Sequence, residues 1–132
     1  MSDKERPGLR EQAFCLGLAE LLIEPLREVA KLHGYALGLH GSRRRDIDLI
    51  AAPWAEEASP PRVLAEAIQA KTEELAGHAF NVDRQGAANP DYFDNGMPGF
   101  KPHGRLCWSF HVGGGPYLDL SVLPPWPEPY RD

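Results

Sequence analysis

Residues that would mark a cross-linked, membrane-spanning or nucleic-acid-coating protein are scarce in this sequence. Cysteine occurs twice in 132 residues, as Cys15 and Cys107, which leaves no second pair for a metal-knuckle spacing and no disulfide framework. Two reduced, buried thiols are expected. Long apolar runs are missing too, and none approaches the ~20 residues that cross a bilayer. Basic residues are in deficit, with 14 Lys and Arg against 19 Asp and Glu and a formal charge of −5. That balance argues against general coating of nucleic acid, which needs phosphates neutralised over a broad surface. Residues 1–11 are polar and of mixed charge, without the basic start, apolar middle and small-residue cleavage site of a secretory signal. A soluble, cytoplasmic protein with no membrane partner is the expectation.

What remains is a globular composition, 42% hydrophobic and 25% charged, long enough for one core. Residues 1–132 should form a single domain. Thirteen glycines and thirteen prolines, about a fifth of the chain, exceed average usage and call for many turns. The Pro-rich tail, 124–132, cannot be helix or central strand.

Apolar residues at Leu18, Leu21, Leu22, Leu26, Val29 and Ala30 repeat at helical spacing, which predicts a helix over 9–33 ended by Gly34. Pro25 either kinks it or opens a second helix. Period-two alternation predicts strands over 35–40 and 46–50, paired as a hairpin. A second helix is expected over 61–76, closed by Gly77, then a short strand within 78–82. Residues 83–103 read as a long loop. Two more alternating runs, 105–112 and 117–123, flank Gly113-Gly114-Gly115-Pro116 and read as a second hairpin. The sum is an α+β domain, a mixed or antiparallel sheet with helices on one face and acidic residues on the other.

On that second face the chemistry gathers. Asp46 and Asp48 stand two apart on one strand, so both carboxylates project to the same side while Ile47 and Leu49 face the core. Asp119, between Leu118 and Leu120, repeats the arrangement. An isolated Asp-Ile-Asp-Leu is what any solvent-facing strand can carry. Three such carboxylates on one face repel one another, and a hard divalent ion such as Mg²⁺, or Mn²⁺, compensates when held by carboxylates and phosphate oxygens.

The order Leu39-His40-Gly41-Ser42, Asp46-Ile47-Asp48-Leu49 and Leu118-Asp119-Leu120 resembles the nucleotidyltransferase superfamily, typified by DNA polymerase beta and the minimal nucleotidyltransferases. The resemblance implies that fold, with Gly41 and Ser42 holding a nucleoside triphosphate, Asp46 and Asp48 binding metal, and Asp119 as third ligand or base. The acceptor, whether protein, RNA or small molecule, is left open. Family members place a short helix between Gly-Ser and the first Asp; here only Arg43, Arg44 and Arg45 intervene. Those arginines can replace the missing helix N-terminus as bidentate phosphate donors, or form a solvated basic turn. The stretches 40–54 and 101–105 are also similar to small proteins carried by bacteriophages and prophages.

Two further groups frame the site. His40 and His111 fall on the carboxylate face, as ligands for a softer metal, as proton carriers, or as hydrogen-bonded bystanders. Lys101, His103 and Arg105 form a basic cluster at the end of the long loop, either closing over a nucleotide or lying on the surface. Three functional readings result: a Mg²⁺-dependent nucleotidyltransferase, a non-catalytic protein that keeps the fold to bind nucleotide or protein, and a metal-dependent phosphohydrolase.

Overall fold

A computed structural model describes residues 8–42, 45–81, 99–101, 104–113 and 115–124. The order is α1 (Leu9–Leu32), β1 (Tyr35–His40), β2 (Ile47–Pro53), α2 (Pro61–Ala76), β3 (Phe80–Asn81), β4 (Gly99–Lys101), β5 (Arg105–His111) and β6 (Tyr117–Val122).

Cys15, Leu18, Ala19, Leu22, Leu26 and Ala30 form the buried face of α1, as the three-and-four spacing requires. The helix continues through Pro25 as one element rather than opening a second helix there; the carbonyl that a proline leaves unpaired is that of Leu21, a residue on the exposed side. Gly34 ends the run at φ +85°, and a β-carbon there would lie 2.9 Å from Ala58 Cα. Only glycine suits both demands. Its carbonyl then accepts the N–H groups of Trp54 and Ala55, so the exit of α1 is joined to the exit of β2. Pro61 opens α2, and Gly77 closes it with its N–H on Glu73 O.

The strands make one mixed sheet in the order β1-β2-β6-β5-β3, with β4 also paired to β5. β1 and β2 are antiparallel, β5 and β6 are antiparallel, and β2 with β6 is the parallel pair that unites the two hairpins. Leu37, Ile47, Leu49, Ala51, Trp108, Phe110, Leu118, Leu120 and Val122 are buried in one core with Leu22, Leu26, Leu64 and Ile68 of the helices. Both helices therefore cover the same sheet face. Among the described residues no helix is long and apolar enough to cross a membrane.

Two expectations need correction. The segment 83–103 is not loop throughout, because Gly99–Lys101 adds to the free edge of β5, where unpaired backbone groups recruit a strand without any alternation of its own. Cys107 is half-buried rather than buried, while Cys15 is buried; both are free thiols. The remainder of the expected loop (82–98) and the Pro-rich tail beyond Pro124 lie outside the described residues.

Ser59 fastens the chain just before α2. Its carbonyl accepts the Tyr35 hydroxyl at 2.7 Å, its Oγ meets His33 Nδ1 at 2.9 Å, and its N–H donates to His33 O at 2.9 Å. Burial pushes the Tyr35 hydroxyl up from 10.0 to about 12. Between these values the unfolded chain has lost a proton that the folded chain keeps. Stability should therefore fall by about 1.4 kcal/mol per pH unit through that window, a slope that Tyr35→Phe removes. Urea denaturation at a series of alkaline pH values measures it; a parallel slope in the variant would contradict the assignment.

Candidate functional site

The register of the sheet assembles the acidic face row by row. Asp48 stands opposite His40 on one side and beside Asp119 on the other, and Asp119 stands opposite Ser109. One continuous row, His40, Asp48, Asp119 and Ser109, therefore crosses four strands on the face away from the helices. Adjacent strands lie ~4.8 Å apart, which makes the two carboxylates neighbours. Alternation fixes the side: Ile47, Leu49, Leu118 and Leu120 are buried on the other face, while Asp48 and Asp119 are half-buried.

Asp46 departs from expectation in its setting. It stands just before β2 rather than within it, and its Oδ1 accepts the Tyr117 N–H at 3.1 Å. The carboxylate thus satisfies the backbone group that opens β6 and clamps the start of the parallel pair. Asp119 is also engaged, for its Oδ1 accepts the Ser109 hydroxyl at 2.7 Å. Asp46 and Asp48 both act on Cys15, whose thiol is pushed up first by burial and then by those two negative charges. The N-terminal half of α1 accordingly lies over the end of the sheet that carries the acids.

The Gly41-Ser42 turn comes to the same end. Gly41 has φ +78°, and a β-carbon added there would lie 2.7 Å from Asp48 Oδ2. The absent side chain leaves the backbone in contact with the carboxylate, a cradle that any other residue would fill. Ser42 and Arg45 are exposed on this turn, and none of its described residues is helical. Arg43 and Arg44 lie outside the described residues. Gly41, Ser42, Asp46, Asp48 and Asp119 are thus brought to one end of one face.

The second basic group is not brought to that end. Arg105 is half-buried on the same face as Ser109 but four residues back along β5, paired with Lys101 of β4. Four residues of strand span ~13 Å, which sets this pair toward the opposite end of the sheet. The side chain of Lys101, and His103 entirely, lie outside the described residues. His111 shares the carboxylate face, where its ring packs edge-on against Tyr117 and His78 at centroid distances of 5.4 and 5.5 Å. Among the described residues, no three His, Cys, Asp or Glu side chains are grouped to hold a metal ion on their own.

Ser109 is the site residue that motif reading passes over. Counting outward from the Gly113-to-Pro116 turn finds it, because the hairpin that pairs His111 with Tyr117 also pairs Ser109 with Asp119. No family model matches the chain, and neither a curated protein nor a solved structure does.

Proposed function

We propose that the chain is a Mg²⁺-dependent nucleotidyltransferase-like protein that moves a nucleotidyl group from a nucleoside triphosphate to an acceptor hydroxyl. One observation carries this reading: Asp48 and Asp119 are side by side on adjacent strands, with the Gly41 turn seated against Asp48. The order of Gly-Ser, paired acids and third acid in the nucleotidyltransferase superfamily supports it. Gly41 and Ser42 receive the triphosphate, and Arg45, with Arg43 and Arg44 beside it in sequence, neutralises phosphate charge.

The donor set suits Mg²⁺, or Mn²⁺, which is commonly held by one or two carboxylates together with substrate phosphates. Asp48 and Asp119 would hold it, with the remaining oxygen of Asp46 near enough in sequence to join. When bound, such an ion stabilises the charge that develops on the phosphoryl oxygens. Asp119 receives the acceptor's proton.

A second reading, a binding module that keeps the fold without transfer, has its own observation. Oδ1 of Asp46 and Oδ1 of Asp119 each already accept a hydrogen bond within the protein. Incubation with labelled nucleoside triphosphates, Mg²⁺ and mixed protein and RNA acceptors separates the two. Transfer predicts label on an acceptor and released pyrophosphate, both abolished by chelation of Mg²⁺. Binding without pyrophosphate establishes the module instead, and inorganic phosphate alone establishes a phosphohydrolase.

A further inference from the structure

A hydroxyl of the protein itself lies against the third carboxylate. Ser109 Oγ donates to Asp119 Oδ1 at 2.7 Å, inside the range in which a carboxylate serves as general base toward a hydroxyl. This is the nucleophile-and-base contact that activated serines share. Ser109 is half-buried, so it opens onto the acidic face, while its neighbours Trp108 and Phe110 are buried in the core and fix the strand beneath it. Through Asp119 it lies in the same cross-strand row as Asp48. Ser109 thus shares its row with the two carboxylates to which the proposed function assigns the metal and its triphosphate.

We propose that Ser109 is an acceptor in its own right, so that the chain nucleotidylates itself there; this rests on the transfer reading above. Ser109 Oγ attacks the α-phosphorus and an Oγ–P bond forms. The bond from that phosphorus to the bridging oxygen breaks, and pyrophosphate departs with the electron pair. The hydroxyl proton passes to Asp119 Oδ1 and then to solvent. The product is a phosphodiester in which the former α-phosphate joins Ser109 Oγ to the nucleoside.

The test is to incubate the full chain with each nucleoside triphosphate and Mg²⁺, then weigh the intact protein and map its peptides. One nucleotidyl group on the Ser109 peptide is expected, with complete loss of it in Ser109→Ala and retention in Ser109→Thr, which keeps a hydroxyl at that place. Calorimetry on Ser109→Ala should still register nucleotide. Label on an added acceptor with none on Ser109, label elsewhere on the chain, or pyrophosphate with free nucleoside monophosphate each overturns the inference and leaves nucleotide cleavage at this site standing. Bound nucleotide with no pyrophosphate overturns the transfer reading itself, and self-modification with it.

Discussion

Phe110→Ala should lower the unfolding free energy by about 3–5 kcal/mol, the cost usual for removing a buried aromatic side chain. Phe110 is 0% exposed in β5, with β6 on one side at Leu118 and β3 on the other at Asn81. Strands on both flanks hold the backbone, so the cavity cannot close by collapse. Since domains of this kind hold only ~5–15 kcal/mol in reserve, the variant should approach half-unfolding on modest heating. Urea denaturation reads the effect as a lower midpoint at unchanged slope. A loss below ~1 kcal/mol would show that the core is not organised around β5.

Asp48→Asn is expected to act in opposite directions on activity and stability. Nucleotidyl transfer should fall by about a hundredfold or more, as when preorganised charge is removed from a reacting centre. The variant without ligand should gain ~0.2–1 kcal/mol, because like charges on adjacent strands oppose each other and Asp48 stands beside Asp119. Millimolar Mg²⁺ should raise the melting temperature of the unaltered chain by linkage and leave the variant unmoved. Asp46→Asn should instead lose stability, since its carboxylate accepts the Tyr117 N–H and a charged acceptor bonds more strongly than an amide. Full transfer activity in Asp48→Asn would reduce Asp48 to the solvent-facing residue of an ordinary strand.

Local periodicity made the helices and both hairpins legible. The spacing of Leu18, Leu22, Leu26 and Ala30 defines the face of α1 that is buried, and alternation along β5 and β6 puts Trp108 and Leu120 inward with Ser109 and Asp119 outward. The parallel pairing of β2 and β6 was not legible, because it depends on which strand edges remain once the hairpins and helices are in place. β4 escaped for a related reason: Gly-Phe-Lys carries no period and is a strand only because β5 offers an edge. At the site, the types and positions of the acids could be read directly. Their bonds could not, since Asp46 finds its partner in Tyr117 and Asp119 finds its own across a hairpin.

The parallel pair also bears on how the protein comes to exist. Hairpins close in microseconds, and each of the two here is complete without the other. The Asp46–Tyr117 bond joins positions 71 residues apart, a closure whose chain-entropy cost delays it until the local pieces are formed. The meeting of Asp48 and Asp119 therefore carries a chain-entropy cost that neither hairpin bears alone.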